Sequence, residues 1–460
     1  MKCKSVLFAA LGGLIYIWTG TLYISVVYGL FDFYGDVAVC LITDGVFAVL
    51  QAVGYIFFML FMKKNKNALS WQVPAIASCI IFITGATAVF SNTAFLMLIL
   101  GSIMSLFTGS VMCFAITKIT SDVDYSERGK AFGLIYAVGG VGTLLLSLPN
   151  GGNALAERYM LIVYLVIAAL SVVAGYFLYR EKSDALFSKE EYMDPVKIKL
   201  EKKDAVLLCL IFMFFVLSNI GLHFKIAGTE EFESAIISRA FYAIGLIIAG
   251  IITDKSRRYG ALCAFLALGF GLLSPALQIS AGTAVLVQAI AYIFLGFPAL
   301  YRMVIFSDEA EKNHSKLPIA TLGVAAALLG QAAGTFLGIY LERNMTVLVC
   351  VMLFLYILTG GVFFNFLSMV YPHHVKEDNL SVDERKELMF EQYVSDKGLN
   401  TRQAQVLKCI LNGSSNGEIA KSLFVSESTV KYHVTNLLQA TSCHNRQELI
   451  DDFRNHYLKF

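Results

Sequence analysis

The chain has 460 residues, of which 57% are hydrophobic and 15% charged, with a mean hydropathy of +0.67 and a formal net charge of +2. A soluble globular chain carries about 25% charged residues, so this composition excludes bulk water as the solvent of most of the chain. The near-neutral charge excludes a bulk electrostatic attraction to nucleic acid, and nine cysteines scattered singly, with no CxxC pair, argue against a zinc site, a redox motif or a disulfide framework.

From the N-terminus, basic Lys2 and Lys4 precede a long apolar run with no clear small-residue cleavage site, which reads as a first transmembrane helix rather than a signal peptide. Twelve such runs follow one another, near 5–30, 37–62, 73–90, 94–117, 131–149, 158–180, 204–225, 234–253, 259–280, 283–306, 318–341 and 345–371. Each is long enough, or nearly so, to cross about 30 Å of hydrocarbon. Lipid offers no partner to backbone polar groups, so the expected spans are helices.

Lys and Arg crowd into alternate loops, with Lys63, Lys64 and Lys66 in one, Lys255, Arg257 and Arg258 in another, and six lysines in the loop 181–203. Positive charge stays on the cytoplasmic side, so both termini are expected in the cytoplasm of a bacterial cell. The loop 181–203 divides the spans six and six. Glycines recur in the fifth run (Gly133, Gly139, Gly140, Gly142) and the eleventh (Gly323, Gly330, Gly334, Gly338), as expected of two parallel repeats with close backbone packing.

Topology and one loop give residues 1–371 a resemblance to the major facilitator superfamily of transporters. GIITDKSRRYG, Gly250 to Gly260, is similar to the family's G-x-x-x-D-[RK]-x-G-[RK]-[RK] loop, with Arg257 where the second Gly is expected. The resemblance implies a gating role for Asp254 and Arg258, holding the two halves together in one state. The copy expected between spans two and three reads FMKKNKN and lacks the pattern. Among charged residues inside the spans, Asp44 and Arg239 are the candidates for a ligand site or a structural ion pair, because burying a charge in lipid is costly. Gln51, Gln278, Gln288 and Gln331 are further hydrogen-bonding candidates, for a ligand or between helices.

After Tyr371 the chain turns polar. Residues 372–398 read as a cytoplasmic linker with a short helix, in which Ser381 and Glu384 form a capping-box pattern and Gly398 is the stop. Residues 399–460 read as four helices. Asn400 with Gln403, then Ser415, then Ser426 are the expected caps of the first three. In VSESTVKYHVTNLL, Val430, Val434, Leu437 and Leu438 form one inward stripe, leaving Ser428, Lys431, Tyr432 and Thr435 outward. Two short helices joined by a tight turn, the second polar on its outer face, form a helix-turn-helix.

This segment resembles the LuxR-type (NarL/FixJ) DNA-binding domain at Leu399, Arg402, Val406, Leu407, Gly413, Glu418, Ile419, Ala420, Thr429, Val430, Lys431, His433, Asn445 and Arg446, among other positions. The resemblance implies base reading by Lys431, Tyr432 and Thr435, with Ser428 on the same face. It implies phosphate contacts from Thr429, Lys421 and His433. It also implies pairing of two domains through the last helix, where Leu449, Ile450, Phe453 and Tyr457 are the dimerisation candidates.

The expectation is an all-α chain: a twelve-helix bundle of 6+6 repeats, plus a small four-helix DNA-binding domain. No catalytic constellation, cofactor site or metal cluster is legible. The function expected is that of a membrane-embedded one-component transcriptional regulator sensing an unidentified small molecule, with promoter DNA, the bilayer and a second copy as partners. The alternative is a working solute transporter with a regulatory DNA-binding tail. Ligand, operator, and activation or repression are not legible.

Overall fold

The computed structural model describes residues 3–64, 72–147, 165–170, 173, 202–222, 232–277, 281–312, 317, 319–341, 343–370, 390–391, 393–394, 396–441 and 443–458. The chain divides into two compact units, Met1–Tyr371 and Pro372–Phe460. Most described residues of both are helical, with no strand among them.

The first unit holds eleven long helices among its described residues: α1 (Cys3–Tyr34), α2 (Val37–Lys64), α3 (Gln72–Val89), α4 (Ala94–Asp122), α5 (Arg128–Ser147), α6 (Lys202–Leu222), α7 (Phe232–Lys255), α8 (Arg257–Leu277), α9 (Ala281–Lys312), α10 (Leu322–Leu341) and α11 (Met345–Val370). They coincide with eleven of the twelve apolar runs. The sixth run, 158–180, is described only at 165–170 and 173, all helical. Eight of these helices are long and apolar enough to cross a membrane.

Two seams join the halves. One packs α5 against α7, the other α2 against α10. Small residues set how closely they approach. A side chain on Gly133 of α5 would meet the Leu246 carbonyl oxygen of α7 at 2.7 Å, and one on Gly250 of α7 would meet the Gly129 carbonyl oxygen at 2.7 Å. The glycines of α10 serve a different contact: Gly330 and Gly334 admit the backbone of α6 at Phe212 and Val216. Such backbone proximity raises dispersion contact where lipid supplies no hydrophobic drive.

The second unit carries α12 (Thr401–Leu411), α13 (Asn416–Leu423), α14 (Glu427–Thr441) and α15 (Arg446–Leu458). Its core is Tyr393, Leu399, Val406, Leu407, Ile410, Ile419, Val430, Leu437 and Leu449, all buried. Residues 390, 391, 393, 394 and 396 are helical, and Gly398 takes φ +61°. That stop agrees with the linker helix expected to end at Gly398, whereas the Ser381–Glu384 cap lies outside the described residues.

Candidate DNA interface and membrane-unit cavity

The caps of the second unit form as the residue types dictate. Asn400 Oδ1 accepts from Gln403 N at 2.9 Å while Gln403 Oε1 accepts from Asn400 N at 2.9 Å. Ser415 Oγ accepts from Glu418 N at 3.4 Å, and Glu418 Oε2 accepts from Ser415 N at 2.6 Å. The Ser415 N–H and hydroxyl hold the Glu418 carboxyl below the usual carboxylate range. Ser426 Oγ accepts from Thr429 N at 3.2 Å and starts α14. Each reciprocal pair satisfies donors that a helix start leaves orphaned.

Between α13 and α14 the chain turns through Phe424, whose φ of 52° is the left-handed region and whose ring is 95% exposed. This turn ends α13 and leads directly into α14. On α14, Val430 and Leu437 are buried and Val434 and Leu438 half-buried, whereas Ser428, Lys431, Tyr432 and Thr435 are exposed. The four outward candidates share one open face. Tyr432 meets the His433 ring edge-on at 5.6 Å between centroids. Thr429 and His433 are half-buried, and Lys421 of α13 is exposed.

The last helix differs from expectation. Leu449 is fully buried in the unit's own core, so it faces α12–α14 and not a partner. The reason is Arg446: it donates to the Ser414 carbonyl and to Asn416 Oδ1, drawing α15 onto the start of α13. Ile450 and Phe453 are half-buried, and the Tyr457 side chain lies outside the described residues. Phe453 already has a neighbour in the Tyr393 ring at 5.0 Å.

Sequence reasoning missed Tyr393. It is fully buried, and its hydroxyl donates to Asp452 Oδ2 at 2.7 Å, beside a Lys397–Asp452 ion pair at 2.8 Å. Burial, with Asp452 adjacent, pushes the phenol well above its ordinary range. The linker's last turn is thus part of the core.

In the membrane unit, Asp44 of α2 accepts from Tyr23 Oη of α1 at 2.6 Å and from Gln331 Nε2 of α10 at 3.1 Å. The second bond crosses between the halves. Asp44, Gln51 and Gln331 line a cavity of about 180 Å³, together with Tyr16, Tyr55, Tyr136 and Arg302. The Arg239 side chain lies outside the described residues, as do those of Gln278 and Gln288, so an Asp44–Arg239 pair falls outside them too. Arg302 of α9 was missed, although a lone Arg inside the run 283–306 was the available signal.

A second charged cluster joins the halves at the ends of α5, α7, α8 and α9. Arg128 donates to Asp308 Oδ1 at 3.0 Å and to the carbonyls of Thr120 and Val123 at 3.0 Å each. Arg257 bonds Asp308 Oδ2 at 2.5 Å, Asp254 Oδ1 at 3.0 Å and the Tyr125 carbonyl at 2.6 Å. Asp254 in turn accepts from Gly129 N at 2.7 Å and Lys130 N at 2.9 Å. A carboxylate there complements the positive end of α5 and two of its orphan donors. The Arg at the second-Gly position is therefore the centre of the cluster, not a lapse in it. Arg258 is half-buried.

Comparison with known proteins bears on each unit separately. Residues 397–452 match the family described as bacterial regulatory proteins, luxR family. The chain is 42% identical over 67 residues to the nitrate/nitrite response regulator protein homolog of Haemophilus influenzae, covering 14% of this chain and 32% of that protein. It is 33% identical over 93 residues to the transcriptional regulatory protein DegU of Brevibacillus brevis, covering 19% and 38%. It is 41% identical over 71 residues to the uncharacterized transcriptional regulatory protein YhcZ of Bacillus subtilis, covering 15% and 30%. The chain thus spans roughly a third of the length of the curated relatives it matches. Among solved structures, the human organic anion transporter MFSD10 (TETRAN) superposes with a TM-score of 0.58 at 13% identity, over 78% of this chain and 99% of that one. That likeness shows the fold alone. The chain joins a polytopic membrane unit of major-facilitator fold to a C-terminal LuxR-type DNA-binding domain.

Proposed function

We propose that the chain is a one-component transcriptional regulator, in which the membrane unit binds a small molecule and the C-terminal domain binds promoter DNA. The observation that carries this reading is the open face of α14, where Lys431, Tyr432 and Thr435 project into solvent from a helix anchored by Val430 and Leu437. Lys431 donates to guanine or phosphate, and Thr429, Lys421 and His433 position the domain on the backbone. With eight Lys or Arg against six Asp or Glu from Asp396 onward, the domain has little electrostatic grip alone. Affinity then depends on pairing two domains, for which the half-buried Ile450 and Phe453 remain candidates.

Ligand binding favours one arrangement of the two halves, which share the Asp44–Gln331 bond and the Arg128–Asp308 and Asp254 contacts. The halves are coupled through residues 372–398 to the DNA-binding domain. A ligand shifts this balance only by its difference in affinity for the two arrangements. The membrane is that of a bacterial cell, with both termini cytoplasmic, as the distribution of Lys and Arg supports.

The test is chromatin capture of tagged full-length protein, wild type beside Lys431→Ala. Sharp sites lost in the variant, at equal membrane expression, are the expected result. The same sites at the same occupancy in both would overturn the readout assignment. Solute uptake into vesicles separates sensing from transport.

A further inference from the structure

Arg302 is 8% exposed, stacks over the Phe215 ring at 4.5 Å and shares a side-chain hydrogen bond with Tyr136, while its buried Nε has no hydrogen-bond partner among the described residues. A buried guanidinium with an unused donor is costly unless something meets it. The charged cluster at the helix ends is internally matched, Asp254 and Asp308 against Arg128 and Arg257. Arg302 stands apart from it and lines the central cavity instead.

Asp44 lines the same cavity. Its two protein donors, Tyr23 and Gln331, occupy two of about four acceptor positions that a carboxylate offers. Among the described residues no ion pair joins Asp44 to Arg302. One cation and one anion therefore face a shared space without neutralising each other directly. The lining is mixed, with aromatic and apolar Tyr55, Tyr136, Met112 and Leu328 beside polar Thr19, Thr108 and Gln51. An apolar cavity of about 150 Å³ holds a benzene molecule, so about 180 Å³ has room for a compact apolar body with small polar ends.

We infer that the central cavity is a binding site for a small zwitterion of amino-acid size, its carboxylate on Arg302 and its ammonium on Asp44. The inference rests on the reading of the membrane unit as ligand-binding, and adds the class of ligand and the two residues that select it. Arg302 suits a planar carboxylate because its fork donates two parallel hydrogen bonds. Asp44 suits an ammonium because its free acceptor positions need donors. A ligand with only one of the two groups leaves the other buried charge unmet.

The experiment uses purified full-length protein in lipid nanodiscs and calorimetric titration. Leucine, methionine and phenylalanine are the zwitterionic probes, each beside its acid lacking the amine and its amine lacking the carboxylate. The expected result is that at least one zwitterion binds, with its two half-charged counterparts weaker by about 10- to 100-fold, the range for losing a hydrogen bond to a charged group. Asp44→Asn should abolish the preference for the zwitterion over the acid. Arg302→Gln should abolish its preference over the amine. These opposite changes of preference are outcomes that misfolding does not produce. Absence of binding by every zwitterion at millimolar concentration, or equal binding by a half-charged counterpart, would overturn the inference. The same probes given to cells, with promoter occupancy as readout, separate the two levels. A zwitterion that binds in nanodiscs but leaves occupancy unchanged supports the site and overturns the sensor reading.

Discussion

Replacing Tyr393 by alanine would empty the centre of the second unit's packing. The ring is fully buried against Phe453, with its hydroxyl on Asp452. An aromatic side chain buries about 150–250 Å², which at about 25 cal/mol per Å² is about 4–6 kcal/mol. Truncations of buried aromatics cost about 3–5 kcal/mol in practice. A domain this small has a stability near the lower end of about 5–15 kcal/mol, so Tyr393→Ala should leave it close to unfolding. Tyr393→Phe keeps the packing and loses only one hydrogen bond. Asp452 is partly exposed and keeps Lys397 at 2.8 Å, so about 1 kcal/mol is expected. The assay is urea unfolding of residues 372–460, followed by circular dichroism, for wild type and both variants. A segment starting at residue 398, close to the start of the family match at 397, should behave like Tyr393→Ala. A Tyr393→Ala loss below about 1 kcal/mol would refute the claim that the linker's last turn belongs to the core.

Asp308→Asn should lower the melting temperature of the detergent-purified chain, because it removes the shared partner of buried Arg128 and Arg257, a loss of about 3–5 kcal/mol for a broken buried pair; an unchanged melt by scanning fluorimetry would show that the cluster holds nothing. Gly133→Val should cost about 1–3 kcal/mol by forcing α5 from the Leu246 carbonyl, whereas Gly140→Val, with nothing within 4 Å, should be neutral. Size-exclusion profiles after mild heating compare the two, and equal behaviour would refute the tight seam. Phe424→Asn should raise the urea midpoint of the second unit by relieving a left-handed conformation worth about 1 kcal/mol. A midpoint that does not rise would mean that the exposed ring is held there by something other than backbone strain.

What was legible in the sequence was local. Capping at Asn400, Ser415 and Ser426, the stripe through Val430 and Leu437, and eleven of the apolar runs follow from neighbours within a few helical turns. What was not legible depends on residues far apart in the chain. Arg128 and Asp308 are 180 positions apart, and Gln331 lies 287 positions from Asp44. The departure from the family's loop pattern has the same origin: Arg257 replaces an expected glycine, and its guanidinium spans Asp254 and Asp308 as no glycine could. Leu449 fits the periodicity of an outer stripe as well as an inner one, and only the Arg446 contacts with α13 decide between them.

The cluster of Arg128, Asp254, Arg257 and Asp308 has a thermodynamic consequence for any rearrangement. Parting the halves there would break one ion pair, Arg128–Asp308, and the hydrogen bonds of Asp254 to Gly129 N and Lys130 N and of Arg257 to the Tyr125 carbonyl, but it would also open buried charges to water, whose hydration regains much of what burial had cost. Such a joint is strong against losing one member and nearly indifferent to opening as a whole. On the two-arrangement reading proposed above, about 5.5 kcal/mol of differential ligand affinity would carry the population from one percent to ninety-nine. On that reading the ligand works against one ion pair and a few hydrogen bonds across the joint, while the Asp254–Arg257–Asp308 contacts travel together with the second half.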